Sequence, residues 1–402
     1  MKLYDIDILI LDIFFFLLPF IDNITGAFIR FGIMGEASLA SPSQLIKFVL
    51  WLFFFCRLFK LTHRRIIVDF VLVLLLFCIF EFFVGILFDN SVYALLFGIM
   101  NVFKISYLIL IYIYIASLIE LKKVNLAILI DFFIKNGLLC TILIAVTTLL
   151  KLNYNTYGEG NFGTKGLFPS GNGISLYLGA ISLLSLFRYS RERTKENFII
   201  AFALIIGSTI IGTKASIVFL ILDMFFFFFK IIKRAKIVIL LVFIFFIIKN
   251  INIFEKVFDV IIWRYKNSAS LFAFLASGRD GYISDAFKEF NTDGLLAFRI
   301  FTGLGAFLSF RLPRQDLVVD TLENDFFDIF FMYGINGIAI YLAIILVFLL
   351  LCLRYRKGDI FILGSAIFFY SAWAGHMVFN ATSGILIPFV LILARYPYES
   401  KN

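Results

Sequence analysis

Apolar residues fall in long blocks along this chain, and polar residues gather between the blocks. A helix needs ~20 mostly apolar residues to cross a bilayer. About twelve runs approach that length, centred on residues 3–20, 43–59, 66–88, 92–119, 126–150, 172–187, 197–212, 214–229, 236–250, 326–353, 360–375 and 378–394. Only Gly212–Lys214 divides the seventh run from the eighth, so the two read as a tight re-entrant pair or one broken helix. Leu9–Phe20 has Lys2 as its only basic flank and lacks a small-residue cleavage site, so it reads as a retained span and not a signal peptide.

Residues 251–320 break this rhythm. "INIFEKVFDVIIWRY" (Ile251–Tyr265) places apolar residues at 254, 257, 258, 261 and 262, which is helical spacing. "GYISDAFKEF" (Gly281–Phe290) repeats it, with Tyr282, Ile283, Ala286, Phe287 and Phe290 on one face and Asp285, Lys288 and Glu289 on the other. Both read as amphipathic helices at a membrane surface. "SGRDGY" lies between them and "FTGLGAF" follows, each with glycines suited to tight turns and close backbone approach. A loop this long is uncommon unless it has a function. The chain thus divides into spans 1–9 (residues 1–250), the loop (251–320), and spans 10–12 with a tail (321–402).

Composition fixes the solvent. The 402 residues are 62% hydrophobic and only 16% charged, with a mean hydropathy of +1.01. A soluble domain of this size cannot bury that much apolar side chain. The expectation is therefore an all-α polytopic membrane protein of about twelve transmembrane helices. The 55 phenylalanines are spread through every run and mark general apolarity, not an aromatic site. Four cysteines sit in apolar runs without paired spacing, and two histidines, His63 and His376, make a histidine-based metal site improbable. No metal and no cofactor is expected.

Charge gives the expected topology. With the N-terminus inside, the inner connections and termini carry twenty basic residues, and the short outer connections carry only Arg30, Lys151, Lys165 and Lys214. That bias places both termini in the cytoplasm and residues 251–320 outside. The net charge of +9 is accordingly a topology signal and does not point to nucleic acid. The outer loop holds eight cations, Lys256, Arg264, Lys266, Arg279, Lys288, Arg299, Arg311 and Arg314. Arginine forks bind phosphate oxygens bidentately, most strongly where water is partly excluded. A lipid-linked pyrophosphate suits such a surface, although single arginines also snorkel to ordinary headgroups. Arg279, in a turn between two amphipathic segments, is the best placed, and Lys214 at a span end is a second candidate.

Carboxylates collect where the tenth span begins, in "TLENDFFDIFFMYGINGIAIYL" (Thr321–Leu342). Asp320 and Glu323 have the spacing of an N-cap and its reciprocal acid. Glu323 and Asp325 are the candidates for a base facing an acceptor hydroxyl. Asn172, Asn324 and His376 are candidate cavity-lining residues, with Ser170 or Asn172 the expected cap of the sixth span. Gly334 and Gly337 read as close-packing positions below the acids.

Four segments in order, "GTKAS" (212–216), "SGRDGY" (277–282), "TGLGAF" (302–307) and "ENDFFDIFFMYGINGI" (323–338), resemble the O-antigen ligase / Wzy-type polysaccharide polymerase superfamily. The resemblance covers about residues 165–340, while the first five spans match in hydropathy alone. It implies a bundle of the C type of glycosyltransferase fold with a large extracytoplasmic loop over a cavity. It further implies a metal-independent transfer in which undecaprenyl-pyrophosphate-linked oligosaccharide is both donor and acceptor. Arg279 would contact the pyrophosphate, assisted by Lys214, with Arg299, Arg311 and Arg314 as further contacts; Glu323 or Asp325 would act as base. Many ligase-branch members carry His-Asn where the post-loop span begins. This chain has Glu323-Asn324-Asp325, which tilts the reading towards polymerase. The implied setting is the bacterial cytoplasmic membrane, with a chain-length regulator and a flippase as partners. The alternatives are a ligase-type transferase to a lipid or protein acceptor, and a lipid-linked oligosaccharide flippase. Against the flippase, no internal echo links the two halves of the chain.

Overall fold

A computed structural model of the chain describes residues 6–35, 41–87, 92–156, 163–231, 259–268, 270, 274, 279–291, 296–305, 322, 324–375 and 377–397. Among them are α1 (Ile6–Arg30), α2 (Pro42–Leu61), α3 (Arg64–Leu87), α4 (Val92–Glu120) and α5 (Leu126–Leu149). Next come α6 (Gly171–Arg191), α7 (Lys195–Ile210), α8 (Lys214–Phe226, continued by a π turn Phe227–Ile231) and α9 (Asp259–Lys266). The series ends with α10 (Arg279–Phe290), α11 (Leu296–Thr302), α12 (Asp325–Arg354), α13 (Gly358–Ala374), α14 (Ala381–Gly384) and α15 (Leu386–Arg395). The extended pairing among the described residues is a single bridge, Asn155 to Thr164.

Helices occupy every expected apolar run that lies in the described residues; the run at 236–250 lies outside them, as does much of 251–320. The first helix continues to Arg30, past its expected end at residue 20, and the last run is divided into α14 and α15. Among the described residues five helices are long and apolar enough to cross a membrane: α1, α3, α4 from Leu95, α5 and α12. Only 17% of the apolar window of α3 is buried, and Leu76, Ile79 and Ile86 stand on its outer surface. Such a surface is stable against hydrocarbon and not against water. The chain is an all-α membrane protein.

Two compact units are present, and neither is continuous in sequence. The first comprises Met1–Ile10, Met34–Ile128 and Ala276–Asn402; the second comprises Leu11–Ile33 and Leu129–Leu275. In the first unit α2 and α3 pack on α4, and α12, α13 and α15 form a second group, with α15 also against α4. Asp7 is buried in this unit. It accepts from Arg57 Nε and Nη2 (2.9 and 2.8 Å), Lys123 Nζ (2.9 Å) and Tyr114 Oη (3.1 Å), tying the start of α1 to α2, α4 and the turn after α4.

The second unit is built around α6. Every residue from Gly173 to Phe187 is buried, and α7 and α8 pack against it. The sequence explains this, because Gly173, Ser175, Gly179, Ala180, Ser182 and Ser185 present small side chains that let neighbouring helices approach. Gly179 is filled from across the interface: a Cβ there would lie 2.4 Å from Phe219 Cγ of α8. Ser170 caps α6 by accepting from Gly173 N (3.0 Å), and Thr213 caps α8 by accepting from Ser216 N (3.2 Å). The seventh and eighth runs are therefore two helices joined at 211–213.

Candidate functional site

The head of α12 explains itself from three polar residues, Asn324, Asp325 and Asp328. Asn324 is extended (φ −147°, ψ 105°) and its Oδ1 accepts from Phe327 N at 3.2 Å, so it is the N-cap. Asp328, one turn on, takes Leu322 N (2.7 Å) and Asn324 N (3.2 Å) on its two oxygens, holding the incoming loop against the helix. The expected capping pair was Asp320 with Glu323, both outside the described residues. The cap observed is Asn324, and its reciprocal acid sits at Asp328, where a buried carboxylate reaches the loop N–H groups that the first turn leaves unbonded.

Asp325 is fully buried and turns the other way. It accepts from Ser371 Oγ (2.6 Å), Met377 N (3.0 Å) and Val378 N (3.3 Å), and Tyr341 Oη donates to Ser371 Oγ (2.9 Å). Gly375, which ends α13 with φ +54°, turns the chain so that Met377 N and Val378 N reach this carboxylate. Asn324 Nδ2 adds a bond to Trp373 O (3.4 Å). Asp325 thus pins α12 to α13 and to the α13–α14 turn. A carboxylate already holding these donors is a positioning group for its neighbours.

On the outer surface of the same head, α10 lays its apolar face where the sequence pattern expected one. Ala286 and Phe290 are buried with Leu304, Leu322 and Phe331, and Ile283, Phe327 and Phe330 close the cluster. Phe287 meets Phe331 at 5.0 Å, and Asp285 and Lys288 face outward as an ion pair (2.8 Å). Arg279 is the first residue of α10 and is 7% exposed; Arg299 of α11 is 4% exposed. Burial to this degree is not the posture of arginines snorkelling to headgroups. Arg299 Nη1 donates to Phe290 O (3.1 Å), which places its guanidinium on the C-terminal carbonyls of α10. Arg279 stands at the opposite end of that helix, ~16 Å away along its axis.

Below the head, α12 is broken. Gly334 has φ +63° and ψ −157°, a conformation open only to glycine. The break strands the carbonyls of Phe331 and Met332, and the segment after α11 answers them: Leu304 N donates to Phe331 O (2.8 Å) and Gly305 N to Met332 O (3.0 Å). Asn336 Nδ2 closes the strap on Phe301 O (2.9 Å). Contact here is backbone to backbone. A Cβ on Gly303 would sit 2.3 Å from Met332 O, and one on Gly334 would sit 2.4 Å from Phe301 O. Gly334 is therefore a helix break made to receive "TGLG", and not only the close-packing position its spacing suggested. Tyr333, at the break, is buried against Phe77 and Phe80 of α3 (5.8 and 6.1 Å), beside the buried Glu81.

The remaining sequence candidates fall as follows. Lys214, in the second unit, begins α8; its ammonium donates to Phe274 O and lies 4.1 Å from the centre of the Phe274 ring. Asn172 is half-buried in the first turn of α6, where Ser170 takes the cap. Glu323, Arg311, Arg314 and His376 lie outside the described residues. Among the described residues no group of three His, Cys, Asp or Glu side chains is placed to hold a metal.

Sequence reasoning passed over the buried acids Asp7 and Asp223, and the second has the less complete set of partners. Asp223 of α8 is fully buried, with Ser182 Oγ 2.6 Å from its Oδ2, while Oδ1 has no hydrogen-bond partner among the described residues. Its signal was available: an aspartate amid "SIVFLILDMFFFFF" is costly in a membrane and implies an interior face. Ser175, Thr213 and Ser216 form a second polar knot, seven residues up both helices. No family model, no curated protein and no solved structure matches the chain.

Proposed function

We propose that the protein is an integral-membrane polysaccharide polymerase. It joins undecaprenyl-pyrophosphate-linked oligosaccharide repeat units on the outer face of the bacterial cytoplasmic membrane, without a metal. The finer topology belongs to this reading: about twelve spans, both termini cytoplasmic, and residues 251–320 forming an extracytoplasmic loop. The observation that carries it is the gathering of three motifs, far from repetitive in sequence, onto one helix end. Arg279–Tyr282 of "SGRDGY" open α10, "TGLG" straps the break in α12, and Asn324–Asp328 form the head above that break, against which α10 packs.

In this reading Arg279 neutralises the pyrophosphate leaving group, a task a buried guanidinium performs without a metal. Arg299 holds α10 in place, and Asp325 fixes the head, which moves the base to Glu323, the acid between Leu322 and Asn324. Lys214, Arg311 and Arg314 remain candidate phosphate contacts, and a lipid or protein acceptor in place of a second repeat unit would make the same machinery a ligase. Reconstitution of the purified protein with a lipid-linked repeat unit tests the reading. Longer lipid-linked chains are expected without added nucleotide. An Arg279→Ala variant is expected to lose elongation by roughly 100-fold or more, the scale of removing one charge-stabilising donor, with Arg279→Lys partly restoring it. Translocation without elongation overturns the reading.

The break at Gly334 favours a second reading, a lipid-linked oligosaccharide flippase, because discontinuous helices line the substrate paths of many transporters. The same reconstitution separates the two.

A further inference from the structure

Helices α6 and α8 meet in steps that descend both helices together, so the two run parallel. Ser175 Oγ lies 2.9 Å from Ser216 Oγ, with Thr213 Oγ1 bonded to both. One step on, Phe219 packs on Gly179, and at the next Ser182 Oγ lies 2.6 Å from Asp223 Oδ2. Beyond that the Phe187 and Phe226 rings meet at 4.6 Å. The first three steps are three or four residues apart on each helix, which keeps them on one face. From the helix starts the seam therefore runs polar, aromatic, acidic, aromatic, and all of it is buried.

Asp223 does not have the surroundings of a carboxylate. Among the described residues no cation pairs with it, and a lone buried charge is costly. Ser182 Oγ also lies 2.8 Å from Gly179 O, and one hydroxyl hydrogen cannot bond two acceptors fully at such distances. A carboxyl hydrogen on Oδ2 satisfies both contacts: Asp223 donates to Ser182, and Ser182 donates to Gly179 O. Oδ1 is then the carbonyl oxygen of the acid. It is buried and has no hydrogen-bond partner among the described residues, so it can accept from any donor that reaches it.

We infer that Asp223 is a proton-binding site, exchanging with water from the end of the seam where α6 and α8 begin, and that Phe219 is its gate. The two directions along the seam differ. Towards the helix starts, about 10 Å away, stands the Ser175–Thr213–Ser216 knot, polar enough to hold water. Towards the helix ends stands the Phe187–Phe226 pair, and Ser185, the next hydroxyl down α6, gives its hydrogen to Ser182 O (2.6 Å). Phe219 alone divides the knot from the acid. Its ring uses the space that a side chain at 179 would fill, since a Cβ there would lie 2.4 Å from Phe219 Cγ. Rotation of the ring off Gly179 joins the knot to Asp223. A water that then reaches Oδ1 donates a hydrogen to it and takes away the one on Oδ2, so acid and water both end neutral. This inference rests on the α6–α8 seam and not on the polymerase reading.

The test follows hydrogen–deuterium exchange of the carboxyl infrared band, using the purified full chain in phosphatidylcholine nanodiscs. The band that belongs to Asp223 is the one Asp223→Asn removes. Phe219→Ala is expected to speed its exchange at least about tenfold over wild type, by raising the population of the open seam. Phe219→Leu, the milder change, should speed it less, and it makes the same comparison if alanine prevents folding. Phe226→Ala opens a cavity of the same size on the other side of the acid and should leave the rate within about twofold. Adding Ser216→Ala to Phe219→Ala should slow exchange again, because an apolar seam stays dry. Backbone amide exchange of α6 and α8 should match wild type throughout. Four results overturn the inference: no band lost in Asp223→Asn, a wild-type rate in both Phe219 variants, equal acceleration in Phe226→Ala, or amide exchange that accelerates in step with the carboxyl. No oligosaccharide is present, so none of these bears on elongation.

Discussion

Asp325 and Asp223 are both wholly buried aspartates in apolar helices, one in each compact unit, and they are served very differently. Asp325 draws hydrogens from Ser371, Met377 and Val378, and the hydroxyl of Ser371 is itself supplied by Tyr341. Asp223 has Ser182, and that hydroxyl is contested: Ser182 Oγ lies 2.8 Å from Gly179 O as well as 2.6 Å from Asp223 Oδ2. One hydroxyl hydrogen serves one acceptor at full strength. Both contacts are satisfied together when Asp223 carries a hydrogen of its own and donates it to Ser182, which donates to Gly179. The first acid is a hub for other elements' donors, and the second is a link in a short chain. Burial alone does not say which kind of acid a residue is; the donor count does.

Truncation breaks the comparison most strongly. Asp325→Ala leaves two backbone N–H groups and a hydroxyl without their acceptor in the interior, a loss of about 3–5 kcal/mol. Asp223→Ala removes one hydrogen bond and a small volume, about 1–2 kcal/mol. Thermal unfolding of both variants in one detergent checks the order, and equal losses would show that the donor count does not govern.

A gentler change sharpens the distinction. Asparagine keeps one acceptor oxygen and replaces the other with an NH2 donor. At 325 that donor faces donors, and about 2 kcal/mol of destabilisation is expected. At 223 the new donor stands where the carboxyl hydrogen stood, facing Ser182, and the change should stay within about 0.5 kcal/mol. A large loss in Asp223→Asn contradicts the hydrogen placement proposed for that pair.

These two acids also mark how far the sequence could be read. Helices α2 to α8 and α12 to α13 begin and end close to where the apolar runs placed them, and Ser170 caps α6 as expected; Ser41 and Thr194, which the sequence reading did not single out, cap α2 and α7 in the same local way. The apolar face of α10 was legible for the same reason, a period of ~3.6 within twelve residues. What the sequence hid were partnerships across long separations. Asp325 meets donors about fifty residues away, Asp7 meets Lys123, and Asp223 meets a serine on another helix. Gly334 carried no sign distinguishing a packing glycine from a break, since the strap that requires it lies thirty residues upstream. The cap of α12 was misplaced because Asp320 and Glu323 satisfy the local rule on sequence as well as Asn324 and Asp328 do, and the cap observed is Asn324.

The smallest expected effect is the most direct view of the difference. A carboxyl that holds its own hydrogen absorbs in the infrared apart from a carboxylate, and that band shifts when the hydrogen is exchanged for deuterium. Wild type in lipid should show a slowly exchanging band of this kind, because Asp223 is sealed from solvent between α6 and α8. The band should vanish in Asp223→Asn and persist in Asp325→Asn. Ser182→Ala should move it without removing it, since the hydrogen remains but its acceptor is gone, at a stability loss of only about 1 kcal/mol. A band unchanged in Asp223→Asn would mean that Ser182 shares its single hydrogen between Gly179 and the acid. The two aspartates would then differ only in how many donors they have, and not in which of them carries a hydrogen.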